Sequence, residues 1–349
     1  MKKIYLKFVI SLIVIDCLSL GFASDQFNDE NQENFPQQRR TKKRPANDQF
    51  SLRVSKRPRN ELTSTLSEES KDIDISVPSC KHKTAISICN LALLNSKISH
   101  NEKASAYTLR ASAKISLGWY KSAIKDCDLV LNIPEIENNI QASVYTIRGF
   151  AKSGLNLCEM AIQDYDLALP IPGISYRIKA LILNGYALAK SQLNDHNAAI
   201  LIYNLALEML EINNKIKATI YNNRAFAKSV LGQYEEAVQD CNLVLAMSDI
   251  SNNVKASAFT NRGFAKNSFG QPEAAVQDYN QALEIPDICH AKKAVVFRDL
   301  GFIKCDLGQT EEAISDLKKA LEFEKFFSLQ ELLSIHNKLN SLNNDSQIK

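Results

Sequence analysis

From residue 104 onward the chain repeats itself every 38 residues, without insertion or deletion. The units begin with closely similar stretches, for example ASAYTLRASAKISLG at residue 104 and ATIYNNRAFAKSVLG at residue 218. A period of this length indicates an array of supersecondary units, each of which buries its apolar face against the next unit. The chain is therefore expected to form a solenoid. The six units cover residues 104–141, 142–179, 180–217, 218–255, 256–293 and 294–331.

Each unit contains two helical patterns. Over the first 14 residues, apolar and small residues recur at three- and four-residue steps, as on one face of a helix. A break follows, often with glycine, as at Gly232 and Gly270, where a left-handed helix end is expected. A second helical pattern then runs to a proline in several units, as at Pro134 and Pro286. Glycine (11) and proline (9) are scarce in the 349 residues, which favours an all-α fold with short turns.

The units resemble tetratricopeptide repeats. An alanine early in the second helix is present in every unit: Ala123, Ala161, Ala199, Ala237, Ala275 and Ala313. In the fifth unit, Phe259, Gly263 and Tyr279 match other positions of the family pattern, although the family's usual unit is a little shorter. The resemblance implies a right-handed α-solenoid of stacked antiparallel helix pairs. It also implies a protein or an extended peptide as the partner.

The ends of the array have their own patterns. Residues 79–103 are predicted to be a degenerate half repeat, because TAISICNLALL lies 38 residues before the second helix of the first unit. Residues 332–349 are predicted to form a capping helix and tail. Terminal units of solenoids are atypical because one of their faces meets water.

The first 23 residues have the layout of a secretory signal peptide. Lys2 and Lys3 precede an apolar stretch over residues 8–22, and Ala23 offers a small residue for cleavage. An uncleaved membrane anchor is the alternative, and membrane contact is expected through this segment alone. Residues 24–78 are polar and rich in charge, so they are predicted to be a disordered tail.

Two basic clusters in this tail resemble a bipartite nuclear-import signal. They comprise Lys42, Lys43 and Arg44, followed by Lys56, Arg57 and Arg59. The alternative is a solvated basic patch. With the signal peptide, this pattern predicts export to a periplasmic or secreted location, with the nucleus of a host cell as a further destination.

The resemblance implies that partners bind along the inner face, which is lined by the first helices. The predicted binding residues are Phe150, Phe226, Phe264, Phe302, Asn222, Asn223 and Asn261. Aromatic rings accept apolar side chains, and amide groups can hold a peptide backbone. The alternative is that the phenylalanines pack between adjacent repeats.

Two charged ladders follow the period. Arginines of the first helices and aspartates of the second helices occur together in four units, and both are absent from the third unit, where Tyr186 and Ile202 stand instead. The sixth unit keeps Asp316 but has Leu300 in place of the arginine. We therefore expect ion pairs within units. Six lysines share another position: Lys114, Lys152, Lys190, Lys228, Lys266 and Lys304. They either form a stripe that binds a polyanion or pair with the aspartates.

Cysteine and tyrosine alternate at one position of the second helix. Cys127 and Cys241 occupy it in two units, and Tyr165, Tyr203 and Tyr279 in three others. A thiol that alternates with a tyrosine is expected to be a packing residue.

The sequence shows no catalytic motif of the common phosphate-binding, zinc-protease or nucleophile-elbow types. We expect no enzyme activity, no metal, no cofactor and no small-molecule substrate. The formal net charge of +3 does not favour nucleic acid. The predicted function is an exported scaffold or adaptor that binds a partner protein, with a bacterial effector in a host cell as one form of it. The alternatives are a periplasmic or secreted assembly scaffold and a polyanion or nucleic-acid binder that uses the lysine ladder.

Overall fold

The structure is a computed structural model that describes residues 78–348, with side chains described for residues 81–343. These residues form fourteen α-helices and one 3₁₀ turn, and no strand lies among them. The helices are α1 Pro78–Leu93, α2 His100–Ser116, α3 Tyr120–Leu131, α4 Asn138–Ser153, α5 Cys158–Ala168, α6 Tyr176–Gln192, α7 His196–Leu207, α8 Asn214–Val230, α9 Tyr234–Leu245, α10 Asn252–Ser268, α11 Pro272–Glu284, α12 His290–Asp306, α13 Thr310–Leu321 and α14 Leu329–Ile348, with the 3₁₀ turn at Glu324–Phe326.

The helices from α2 to α13 form six antiparallel pairs, one for each 38-residue unit. First helices of neighbouring units pack against one another, whereas second helices pack on the first helices of their own unit and of the next. The first helices therefore form an inner layer and the second helices an outer layer. The predicted all-α solenoid of stacked helix pairs is confirmed.

Small residues set the distance between the two helices of a pair. The repeated alanine of the second helix is fully buried in all six units, at 0% exposure. Any larger side chain at this position would push the paired helices apart, because a packed core has no spare volume.

Both chain reversals use a left-handed residue at a fixed repeat position. The turn within each unit contains Gly118, Asn156, Asn194, Gly232, Gly270 or Gly308, with φ between +57° and +83°. The turn between units contains Glu135, Gly173, Glu211, Asp249 or Asp287, with φ between +56° and +69°. The first of these turns was predicted from its glycines. The second was not, because glutamate and aspartate carry no strong signal for this conformation.

The predicted ion pairs are present and reach further than one unit. Arg224 in α8 donates to Asp240 in α9 at 2.8 and 2.6 Å, and the aspartate is 2% exposed. The same guanidinium donates to Asn204 of the preceding unit at 2.6 Å. Equivalent three-residue networks are centred on Arg110, Arg148 and Arg262. Each arginine therefore joins the two helices of its own unit and the adjacent unit.

The last helix begins three residues earlier than the sequence predicted. Ser328 Oγ accepts a hydrogen bond from the Glu331 backbone N–H at 3.2 Å, and the Glu331 carboxylate accepts one from the Ser328 backbone N–H at 2.9 Å. This reciprocal capping box starts α14 at Leu329 instead of Leu332.

Candidate functional site

A cavity of about 310 Å³ opens on the inner layer over the last three units. Its walls come from α8, α10 and α12, and residues of the 3₁₀ turn and of α14 close one end. The first helices lie side by side here, so that residues at one repeat position of successive units become neighbours in space.

Three phenylalanines form the apolar wall of this cavity. Phe226, Phe264 and Phe302 share one repeat position, and all three remain partly exposed. The rings of Phe226 and Phe264 are stacked, with centroids 6.2 Å apart and an interplanar angle of 29°. Aromatic rings held in this way offer a preformed apolar surface to a ligand side chain.

Two amides lie beside the aromatic wall, and both are held in place by the protein. Asn223 Nδ2 donates to Asn184 Oδ1 at 3.0 Å, and Asn261 Nδ2 donates to the backbone oxygen of Asn222 at 3.0 Å. Because one N–H of each amide is used in this way, the orientation of both side chains is fixed before any ligand arrives.

The closed end of the cavity is polar. Arg298 Nε donates to Asp299 Oδ1 at 2.9 Å, and Arg298 Nη1 donates to Glu331 Oε1 at 2.6 Å. The Tyr279 hydroxyl donates to Asp299 Oδ2 at 3.4 Å. Burial raises the pKa of Asp299 above its ordinary value, and the pairing with Arg298 offsets only part of this rise. This network fixes α14 against the sixth unit.

Two of the predicted binding residues lie away from the cavity. Phe150 is 7% exposed and packs edge to face on Tyr165, with ring centroids 5.9 Å apart. It belongs to the core of the first two units, as the packing alternative predicts. Asn222 is 3% exposed and donates to the backbone oxygen of Val254 at 3.0 Å. The other five predicted residues line the cavity.

Five of the six ladder lysines form close ion pairs. Lys114, Lys152, Lys228, Lys266 and Lys304 bond the buried aspartates of their own units at 2.6 to 2.9 Å. Lys190 differs, because Ile202 replaces the aspartate in its unit, and its ammonium lies 3.9 Å from Asp195. The ladder therefore contributes to the packing of each pair, and five of its six ammonium groups are held by a buried carboxylate instead of standing free for a ligand.

Sequence reasoning missed the polar end of the cavity. Arg298 and Asp299 stand where the fourth unit has Asn222 and Asn223, so their departure from the repeat was the available signal. Phe326 stands where the other five units carry isoleucine, as at Ile288, and Glu331 stands where four units carry lysine, as at Lys293, so these departures from the repeat were also an available signal.

The predicted leader and the nuclear-import-like residues lie outside the described residues. Among the described helices, none combines the length and the apolar character needed to span a bilayer.

A family model for the tetratricopeptide repeat matches residues 104–135 and 256–287, which open the first and fifth units. No curated protein matches the chain. Solved tetratricopeptide structures share the fold. The chain is therefore a tetratricopeptide repeat protein.

Three similar structures illustrate this likeness. A chain of the APC/C hetero-tetramer Cut9–Hcn1 aligns with 12% identity and a TM-score of 0.59, over 81% of this chain and 51% of that one. A tetratricopeptide repeat protein from Parabacteroides merdae aligns with 16% identity and a TM-score of 0.53, over 81% of this chain and 96% of that one. The type IV pilus biogenesis factor PilW aligns with 18% identity and a TM-score of 0.52, over 67% of this chain and 99% of that one. The chain spans about half the length of the first of these. At these identities the likeness defines the fold alone.

Proposed function

We propose that the chain is an adaptor whose inner-face cavity binds an extended peptide segment of a partner protein. The observation that carries this proposal is the combination of three partly exposed phenylalanines with two fixed amides in one cavity. An extended peptide presents apolar side chains and backbone polar groups in alternation, which is what such a surface accommodates.

The size of the cavity supports a short stretch of peptide. A volume of about 310 Å³ lies at the lower end of the range of ligand sites. It accommodates one or two large side chains, and the rest of a peptide would lie along the inner layer. The phenylalanine wall is therefore expected to select an apolar anchor residue.

The charges around the cavity disfavour a polyanion. Lys292 and Arg298 contribute positive charge, and Asp299 and Glu331 contribute negative charge, so the lining is balanced. The ladder lysines are paired with carboxylates. The cavity therefore lacks the uniformly positive potential that a nucleic acid or a strongly acidic peptide requires.

A peptide library selected on the full chain tests this proposal. We expect a shared apolar anchor in the selected peptides, and a loss of affinity of about tenfold or more when Phe264→Ala removes part of the wall. The matched control is Phe150→Ala, which changes the same repeat position outside the cavity. Selected peptides that bind wild type and Phe264→Ala equally well would contradict the proposal.

We also propose that the chain is exported through residues 1–23 and acts either as an envelope or secreted scaffold or inside a host cell. The support is the order of charge, apolar stretch and small residue at the start of the sequence, together with the two basic clusters of the tail. N-terminal sequencing of the mature protein tests cleavage near Ala23. A fluorescent reporter fused to residues 24–78 separates the destinations: nuclear accumulation that Arg57→Ala with Arg59→Ala abolishes supports the host-cell role, and uniform fluorescence supports the scaffold.

A further inference from the structure

A row of half-exposed leucines runs along the outer layer. Leu129, Leu167, Leu205 and Leu243 occupy one position in four successive second helices and are 48, 51, 49 and 48% exposed. Leu91 of α1 extends the row at 49%. The helices that carry these leucines follow one another along the outer layer, and each packs on first helices and not on the next second helix.

The repeat itself does not require leucine at this position. The fifth and sixth units carry Gln281 and Lys319 there, and both are exposed in equally well-formed pairs. Polar side chains are therefore compatible with the fold, and four consecutive units nevertheless keep an apolar one. A single exposed leucine is ordinary, but an exposed leucine at the same outward position of four successive units indicates an interaction surface.

The apolar surface is widest at its centre. Met160 in α5 is 46% exposed and Leu201 in α7 is 65% exposed, and they add to Leu167 and Leu205 of the same two helices. Together with Leu129 and Leu243, these six exposed side chains place apolar surface on four successive outer helices.

The charges beside the row change sign along the solenoid. One charged position lies eight residues before each leucine. Lys83 in α1 and Lys121 in α3 hold it near the start of the outer layer, and Glu235 in α9 and Glu273 in α11 hold it further along. Between them the position is held by Glu159 and Asn197. All these residues are exposed, so one end of this face is basic and the other end is acidic.

We propose that this outer face binds a second copy of the same chain, antiparallel, about a two-fold axis between α5 and α7. In this register Leu167 faces Leu205, and Leu129 faces Leu243. Lys121 then faces Glu235 of the other copy, and Lys83 faces Glu273. An identical partner has the same spacing between its leucines. A two-fold axis also makes each contact occur twice in the dimer.

The charges disfavour a register centred on α5, and the apolar centre formed by Met160 and Leu201 favours this register over one centred between α3 and α5, where Lys121 would face Glu159. If the axis passed through α5, Glu159 would face its own copy, and like charges in an interface are destabilising. With the axis between α5 and α7, Glu159 faces Asn197, and both ends bring opposite charges together. The result is an apolar centre with a charged rim, the usual anatomy of a protein interface.

The outer face lies on the opposite layer from the peptide cavity. A dimer formed in this way leaves both cavities open, so it does not depend on the proposed peptide binding. It would present two peptide sites from one assembly, which strengthens binding to a partner that carries two copies of the peptide.

Sedimentation of the full chain over a range of concentrations tests the dimer. We expect a reversible dimer whose dissociation constant rises about tenfold or more in the double variant Leu167→Glu with Leu205→Glu. Lys121→Glu should weaken the dimer, and adding Glu235→Lys to it should restore the dimer by exchanging the two charges. Glu311→Lys is the matched control, because it changes the same repeat position beyond the interface. Helical content and melting temperature are measured for every variant to confirm folding.

Three results would overturn the proposal. One is a chain that sediments as a monomer at all concentrations up to about 100 μM. Another is a dimer that the leucine substitutions leave unchanged. The third is a monomeric chain whose leucine row binds a different protein.

Discussion

The ring of Tyr165 fills the space that a side chain at Gly149 would need: a Cβ atom added to Gly149 would lie 2.6 Å from Tyr165 Cε1. The same pairing recurs as Gly263 with Tyr279 and as Gly301 with Leu317. Where the second helix instead carries a small cysteine, at Cys127 and Cys241, the first helix carries alanine, at Ala111 and Ala225. In these five units the two positions therefore compensate in size, whereas the third unit combines Ala187 with Tyr203.

Gly149→Ala is expected to destabilise the chain by about 1–3 kcal/mol through overpacking against Tyr165. Helix propensity alone would act in the opposite direction, because alanine is favoured over glycine by about 1 kcal/mol in a helix. Urea denaturation measures the difference. A stabilised variant would show that the Tyr165 ring moves aside easily and that the close contact is unimportant.

Arg224→Met is expected to lower the free energy of unfolding by about 2–3 kcal/mol, since Asp240 would keep its charge in a buried position with Lys228 as its remaining cation. Adding Asp240→Ile should recover part of the loss, because the third unit already replaces both charges with Tyr186 and Ile202. Denaturation midpoints of the single and double variants give the comparison. A double variant less stable than Arg224→Met would contradict this role.

Glu211→Gly is expected to stabilise the chain by about 0.5–1 kcal/mol. Glu211 has φ of +60°, a conformation that is unfavourable for a side chain with a Cβ atom, and the second unit uses Gly173 at this position. The matched control is Glu208→Gly, where φ is −74° and glycine should bring no gain. Equal effects at both positions, measured by thermal denaturation, would refute the conformational explanation.

His196 is expected to make stability depend on pH. Burial lowers the pKa of this imidazole below 6.5, Asp195 opposes the shift only in part, and Nδ1 lies 3.0 Å from Ser191 Oγ. The unfolded chain therefore binds a proton at a higher pH than the folded chain. Stability is fully present above the unfolded pKa and is lost as the pH falls from about 6.5 toward the lower folded pKa.

His196→Asn tests this expectation, because the variant has no titrating group at that position. The difference in melting temperature between pH 7.5 and pH 5.5 should be smaller in the variant than in the wild type. An unchanged difference would assign the pH dependence to other groups.

Most of the fold could be predicted because its determinants are local. The helical periodicity, the buried alanines and the glycine turns all lie within one unit, and six copies reinforce each pattern. The pairing of Arg224 with Asp240 was also predictable, because both partners are lost together in the third unit. Its bond to Asn204 was not, since nothing within one unit marks a partner in the preceding one.

Only part of the candidate site could be predicted, because the repeat pattern shows which face a residue lies on and not what surrounds it. Phe150 and Phe264 share a repeat position, yet the first packs into a core and the second lines a cavity. Periodicity assigns both residues to one face and cannot distinguish these surroundings. The polar end depends on Glu331 in α14, which stands where four other units carry lysine; a comparison of units shows this reversal of charge but does not reveal its contact with Arg298.

Photo-crosslinking tests peptide binding in the cavity most directly. The full chain would carry p-benzoylphenylalanine in place of Phe264 or, as the matched control, in place of Phe150, and would be irradiated with a selected peptide. We expect an adduct from the Phe264 position that mass spectrometry maps to the apolar anchor of the peptide, with little or none from the Phe150 position. No adduct at Phe264, or equal adducts at both positions, would contradict a peptide site on the inner face.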